Sequence, residues 1–228
     1  MVTLVSLLKC LNGRIRIKEE LSMLVTVEFD SLGIAGMTAI TRVLTDKNIL
    51  KKIAEEYDAY EIKKEVASNP NTSSDVLTKP SKDHRTVVLM EVAKNKNTPS
   101  SVLEKLADFD SYYVQEAVAG NINTPPNTLA RLVHIAKTLD VVKIVATNPN
   151  TSPDTLAKLA KNYHSEIREA VATNLNTPRK ILAKLAKDDD NHVRIAVAKN
   201  ENTSPKILLK LSNDVEMSIR EAVKERKY

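Results

Sequence analysis

A short polar string, Asn-x-Asn-Thr, recurs six times in this chain, and its spacing constrains the fold more than any other feature. The strings lie at residues 69–72, 95–98, 121–124, 148–151, 174–177 and 200–203. Successive strings are 26 residues apart, with a single step of 27. A fixed period of this length is typical of a solenoid, in which each copy stacks on its neighbours. We number the copies 1 to 6 from the first Asn of each string.

Apolar columns in register with the string predict two helices in each copy. Eight and eleven residues after the first Asn stand leucines such as Leu182 and Leu185, and only Pro80 breaks the second column. Before each Asn stands a Val-Ala pair, with another valine or isoleucine four residues earlier, as in Val193 and Val197. Spacings of three and four residues place side chains on one helix face. We call the leucine segment helix A and the valine segment helix B.

The string itself is predicted to be the turn from helix B to the next helix A. Asn commonly ends helices and tolerates a left-handed backbone. Thr98, Thr124 and Thr177 each precede a proline, which predicts a threonine N-cap with proline as the first helical residue. In copies 4 and 6 an intervening serine, Ser152 or Ser204, takes the cap instead. Turn chemistry thus accounts for the string without a ligand.

The repeats divide the chain into three predicted parts. Residues 69–228 form six tandem helical repeats, and residues 45–68 form a degenerate first repeat. Residues 1–44 do not fit the pattern and are predicted to be an N-terminal cap segment, for which a strand pair and two helices are both open. Helices of two or three turns do not persist alone in water, so the copies must stack to bury their Leu and Val faces.

The repeat pattern resembles a known family. Residues 182–203 read L-A-K-L-A-K-D-D-D-N-H-V-R-I-A-V-A-K-N-E-N-T. This is similar to the leucine-rich repeat variant family, whose copies run roughly L-x-x-L-A-x-D-x-D-x-x-V-R-x-A-V-A-x-N-P-N-T-P, and the resemblance covers about residues 45–226. It implies an all-α fold, a right-handed superhelical solenoid of short paired α and 3₁₀ helices. Copies 1 and 3 depart from the pattern, at Pro80 and at an inserted residue near Ala136.

Composition favours a folded, intracellular protein with a basic C-terminal third. The net charge is +5, and residues 148–228 carry 15 basic and 11 acidic side chains. Such an excess attracts nucleic acid or acidic protein surfaces. The only cysteine, Cys10, excludes an internal disulfide, so a reducing cytoplasm is expected. No apolar run approaches the ~18 residues of a membrane span.

No group of residues predicts catalysis. The four histidines fall at four different repeat positions and have no metal-type spacing. The run Asp188–Asp190 is expected to cap helix B or to pair with the nearby arginines. We therefore predict no enzyme activity, no cofactor and no metal site.

The most regular charged feature is a basic column ten residues after each first Asn. It consists of Lys79, Lys105, Arg131, Lys158, Lys184 and Lys210. Stacking turns this column into a ladder that could bind phosphates or an acidic partner. The alternative is a solvated face, neutralised in part by i, i+4 pairs such as Lys184–Asp188.

Two variable columns on helix B, six and five residues before each Asn, predict a partner surface. Leu89, Met90 and Val142 are apolar where other copies are charged, which is typical of an interface unless irregular neighbours bury them. The predicted partner-binding residues are Leu89, Met90, Val142, Lys143, Arg168, Arg194 and Arg220, with the arginines steering the partner or, alternatively, pairing with acids at the turn between helices A and B. The sequence thus predicts a non-enzymatic scaffold for protein–protein interaction. The alternative is a nucleic-acid-binding solenoid that uses the Lys and Arg columns.

Overall fold

The computed structural model describes residues 33–226, and every regular element in that range is a short helix. The α-helices are α1 (Gly33–Val43), α2 (Lys47–Glu56), α3 (Tyr60–Ser68), α4 (Ser74–Leu77), α5 (Thr86–Lys94), α6 (Ser100–Leu106), α7 (Tyr112–Gly120), α8 (Pro126–Ile135), α9 (Leu139–Thr147), α10 (Pro153–Leu159), α11 (Ser165–Thr173), α12 (Arg179–Leu185), α13 (Asn191–Lys199), α14 (Pro205–Leu211) and α15 (Met217–Lys224). A 3₁₀ helix at Pro80–Lys82 completes helix A of copy 1, where Pro80 breaks the leucine column. Cys10 and the alternatives for the first 32 residues lie outside the described part.

The helices alternate as the apolar columns predict. From α2 onward the even-numbered helices are helices A and the odd-numbered ones are helices B, so the degenerate repeat contributes α2 and α3. The leucines eight residues after the first Asn are all buried, and so are the Val-Ala pairs of helix B. A fully buried leucine or valine contributes roughly 1.5–3 kcal/mol relative to an exposed one. The periodic core therefore stabilises each copy through its neighbours.

The chain divides into two compact units, with the boundary between Asn97 and Thr98. In the first unit α1 packs on α3 and α3 packs on α5. In the second unit each helix B from α7 to α15 packs on the next one, and each helix A packs on the helix B that follows it. Helices B thus form a continuous row within each unit.

Helix α1, in the predicted cap segment, occupies the place of a helix B before the degenerate repeat. Asn69 Nδ2 donates to the carbonyl oxygens of Thr41 and Leu44, at 2.6 and 2.9 Å. In the next copy Asn95 Nδ2 makes the equivalent bonds to Ala67 and Asn69. The hydrogen-bonding pattern of the repeats therefore begins at α1.

The first Asn of each string ends helix B, as predicted, but its backbone is extended rather than left-handed. At Asn174 φ is −70° and ψ is 124°, and the other five strings have similar values. This geometry directs the amide back along the stack, where Nδ2 donates to Ala146 O at 2.8 Å and Asn148 O at 2.9 Å. Asn174 Oδ1 accepts from the Asn176 amide at 2.8 Å.

The threonine N-caps predicted for copies 2, 3 and 5 are wrong. The N-cap residues there are the prolines that follow Thr98, Thr124 and Thr177. In five strings the Thr hydroxyl donates instead to the carbonyl of a helix B valine six residues earlier, as Thr203 does to Val197 at 2.7 Å. The serines predicted as caps in copies 4 and 6 do occupy the N-cap positions. Ser152 Oγ accepts from the Thr155 amide at 3.2 Å, and Ser204 occupies the cap position of α14.

Candidate functional site

Within each unit, the Asn-x-Asn-Thr strings bind a copy to the preceding one and leave few free polar groups. The first Asn and the Thr of every string are buried. The second Asn reaches further out: Asn97 Nδ2 donates to the carbonyls of Pro70 and Thr72, both at 2.9 Å. Asn176 and Asn202 make the corresponding bonds to Pro149 and Leu175. Because these amides are satisfied within the chain, the residues common to all copies have a structural role.

A second set of bonds joins consecutive copies through helix B arginines. Arg168 Nε and Nη2 donate to the two carboxylate oxygens of Asp188, at 2.7 and 2.8 Å. Arg194 binds Asp214 in the same way, at 3.0 and 3.1 Å. Both pairs are bidentate and join residues 20 positions apart, the same separation as the Lys63–Asp83 pair of the first unit. The predicted pairing of the Arg column with acids at the A–B turn is therefore confirmed for two members.

These contacts hold both carboxylates in the charged form. Burial alone would raise the pKa of Asp188, but the hydrogen bonds from Arg168 and from the Asp190 amide lower it further than burial raises it. The pKa of Asp214 is likewise lowered, because Arg194 and the Glu216 amide outweigh its burial. The negative charge of each aspartate is thus compensated by an arginine within the stack.

The acidic run and the last arginine also have structural partners. Asp190 caps α13 by accepting from the His192 amide at 2.8 Å. Arg220 Nη1 donates to the carbonyls of Asp214 and Val215, at 2.7 and 2.8 Å. The guanidinium groups of the three predicted steering arginines therefore bind within the chain, and their contact with a partner stays a prediction.

The predicted exposed apolar cluster on helix B is wrong at Leu89, which is only 2% exposed. Its column, six residues before each Asn, is turned inward: Gln115 and Arg194 are also buried. Met90 is half-buried and belongs to the first unit, whereas Val142, half-buried, and Lys143, exposed, belong to the second. This helix B position is the one from which Arg168 and Arg194 reach the aspartates of the next copy, so its side chains point towards the stack.

The basic column splits into engaged and unengaged members. Lys79 Nζ donates to the carbonyls of Ala54 and Glu55 at the end of α2. Arg131 donates to Glu104 O at 2.6 Å and pairs with Asp108 at 3.2 Å. The other four members are exposed, and within residues 33–226 none has a carboxylate within 4 Å; they are Lys105, Lys158, Lys184 and Lys210.

The i, i+4 pairs expected to neutralise this column do not form. Asp188 and Asp214 are held by Arg168 and Arg194 of the preceding copies. Asp83, expected to pair with Lys79, pairs with Lys63 and Arg85 instead. A planar guanidinium matches both oxygens of a carboxylate, whereas an ammonium group does not. Asp188 and Asp214 therefore pair with the arginines rather than with the lysines of the column.

Lys210 is the only one of the four unengaged members of the basic column that lines a groove between α12 and α14, in copies 5 and 6. The groove has a volume of about 440 Å³. Its cationic residues are Arg179, Lys180, Lys187, Lys206 and Lys210. All five are exposed, and among the described residues none lies within 4 Å of a carboxylate. The one acid at the groove, Asp214, is already bound by Arg194. We call this site the basic groove.

Apolar side chains line the basic groove beneath its charged rim. Ala183 and Ala186 of copy 5 line it together with Ile207 and Leu211 of α14. Ile207 is 8% exposed and Leu211 is 1% exposed, so both belong to the core, whereas Ala183 is open to solvent. The site combines an apolar floor with uncompensated positive charge, which suits an anionic ligand with some apolar surface.

Sequence reasoning found one of the five groove cations, Lys210. The other four, Arg179, Lys180, Lys187 and Lys206, lie in columns that are not basic in every copy, so no single column reveals them. Lys180 and Lys206 occupy the same position, six residues after the first Asn, and only copies 5 and 6 have a lysine there. That local doubling of basic columns is the signal that could have indicated the groove.

A second exposed feature is apolar and lies along the string edge. The residue between the two asparagines is Ile122 in copy 3, Pro149 in copy 4 and Leu175 in copy 5, and all three are exposed. Their carbonyls accept from the second Asn of the following copy, so the stack fixes their spacing. This row contains no charged side chain.

Between residues 33 and 226, no three His, Cys, Asp or Glu side chains lie where they could hold a metal ion together. In the same range, no helix has the length and apolar character needed to cross a membrane.

The solved structures similar to this chain include a leucine-rich repeat variant and an engineered protein. One is described as a leucine-rich repeat variant with a novel repetitive protein structural motif; it has a TM-score of 0.54 and 23% identity, over 75% of this chain and 68% of that one. The other, an engineered protein, has a TM-score of 0.39 and 15% identity, over 83% of this chain and 66% of that one. No family model and no curated protein matches the chain. The first likeness confirms the resemblance seen in the sequence, and at this identity it shows the fold alone: a helical repeat like that of the leucine-rich repeat variant.

Proposed function

We propose that this chain is a non-enzymatic scaffold that binds another protein, and that the basic groove is a binding site. The supporting observation is a contrast between polar groups that are bonded inside the stack and cations that have no partner at the surface. The asparagines common to all copies, and the paired arginines, make bonds inside the stack, whereas five cations of copies 5 and 6 remain uncompensated at the surface. Clustered charge of one sign creates a potential that attracts and orients a charged partner.

The repeat architecture also favours a scaffold. Stacked copies bind through surfaces made by like positions of successive copies. Lys180 and Lys206 are such a pair, as are Ile181, which is buried, and Ile207 at the groove floor. The groove therefore depends on the stacking of two copies, and it exists only when both are folded.

Site-directed photo-crosslinking tests this function. A photoreactive residue placed at Ala183, in the groove, should crosslink to a discrete protein in an extract of the cells that make this chain. Thr173 is the matched control, because it is also exposed but lies on helix B outside the groove. The same crosslinked protein from both positions would contradict the groove as the site. Crosslinks to nucleic acid alone would contradict the function.

A further inference from the structure

We infer that the basic groove recognises an acidic segment of the partner protein, with carboxylates at its rim and an apolar side chain on its floor. This inference rests on the proposed function and adds the chemical class of the partner. Two observations on the groove carry it: the charge of the rim and the apolar character of the floor.

The charge of the rim cannot be satisfied from within the described chain. Asp188 and Asp214, the first acids after Lys187 and Lys210 in the sequence, are each held by two guanidinium bonds. Lys187 and Lys210 stand beside these acids or four residues before them and still form no ion pair with them. Carboxylates from another chain would therefore meet cations that have no competing partner. Each such pair forms over a low-dielectric apolar floor, where charges interact more strongly than in open water.

The floor distinguishes a peptide from a nucleic acid. Ala183, Ala186, Ile207 and Leu211 offer apolar contact between the cations. Single-stranded nucleic acids bound without sequence preference are held by a basic groove together with aromatic side chains that stack on bases, and no aromatic residue lines this groove. A peptide that alternates acidic and apolar residues satisfies both rim and floor at once.

The shape of the basic surface supports the same choice. An extended nucleic acid would be tracked by the whole ladder, but Lys79 and Arg131 of that ladder are bound to backbone carbonyls. The additional cations Arg179, Lys180 and Lys206 are found only where copies 5 and 6 meet. The positive surface is thus local and has the length of a short segment rather than of a filament.

Fluorescence anisotropy with the full chain tests the inference. The probe is a labelled peptide of alternating Glu and Leu, and its comparison is the same peptide with Gln in place of Glu. Replacing Lys187, Lys206 and Lys210 together by Gln should weaken binding of the acidic peptide by about tenfold or more, since rim charges supply the attraction. The control replaces Lys161, Lys199 and Lys224 by Gln; it removes the same charge from exposed positions outside the groove and the basic column, and it should change the affinity less than about twofold.

The variant Ala183→Phe tests the contribution of the groove floor apart from that of the charged rim. This variant keeps every cation but fills the floor from an exposed position, so it should also weaken the acidic peptide without loss of folding, as circular dichroism would show. Equal weakening by the two triple variants would overturn the inference, because binding would then follow net charge alone. Tighter binding of a labelled oligothymidylate than of the acidic peptide would overturn it in favour of a nucleic acid. If neither probe binds while the Ala183 crosslink identifies a protein, the acidic segment is wrong and the proposed function stands.

Discussion

Two sets of cations in copies 4 to 6 lie close in sequence and differ completely in what they do. On helix B, Arg168 and Arg194 bind aspartates of the next copy through both carboxylate oxygens. At the groove, Lys187, Lys206 and Lys210 remain exposed without a carboxylate partner in the described chain. The difference teaches that charge alone does not separate structure from function here. A side chain whose bonds are made inside the stack builds the protein, and one left uncompensated is available to bind.

The largest expected effect defines the structural side of this comparison. Leu182→Ala should destabilise the chain by roughly 2–5 kcal/mol, because it leaves a cavity at a fully buried position between copies. Lys184→Ala, two residues away and exposed, should change the free energy of unfolding by less than about 0.5 kcal/mol. Urea denaturation of both variants measures the difference. Equal losses would mean that the buried face of helix A is assigned wrongly.

The string asparagines come next. Asn174→Ala should cost roughly 2–3 kcal/mol, because the carbonyls of Ala146 and Asn148 lose their donor while they are buried in the turn. Asn174→Asp is the matched control for size, and it should be at least as damaging, since a carboxylate cannot donate to these carbonyls. Denaturation midpoints of the two variants test this. A stable Asn174→Asp variant would show that shape rather than donation matters.

The Arg194–Asp214 pair should show a smaller, pH-dependent effect. Since the folded pKa of Asp214 is lowered, its stabilisation is present above its unfolded pKa of about 3.9 and is lost as pH falls through the folded value. Arg194→Met should therefore cost about 1–2 kcal/mol at neutral pH and progressively less in acid. Unfolding free energies between neutral pH and pH 3 measure this. A loss independent of pH would mean that the arginine acts through packing alone.

The smallest effect is expected in the groove itself. Lys210→Gln should change the free energy of unfolding by less than about 0.5 kcal/mol at any pH between 3 and 7, because Lys210 is exposed and Asp214 already has a partner. The measurement is the same denaturation series. A pH-dependent loss resembling that of Arg194→Met would break the comparison, since Lys210 would then share Asp214.

The fold was largely accessible from the sequence, and the candidate site was only partly so. The periods of Leu182, Leu185, Val193 and Val197 identify helices A and B, because burial on one helix face leaves a regular trace. The periodic pattern does not predict a site that is formed by two columns together: it indicated Lys210 of the groove but not Lys206. It also fails at Leu89, because an apolar residue in a charged column is equally consistent with an exposed patch and an inward-facing position.

The sequence by itself determined the repeat register, the two helices of each copy and the buried columns. Those features depend on periodic burial: the same positions are buried in every copy, so each copy carries the pattern independently. The tertiary structure decided how polar groups pair: Asp188 binds Arg168, 20 residues earlier, rather than Lys184, four residues earlier. It also turned the Asn amides back along the stack and left the groove lysines open. Such choices depend on distances between copies and on the fit of donor to acceptor, neither of which the order of residues along one helix contains.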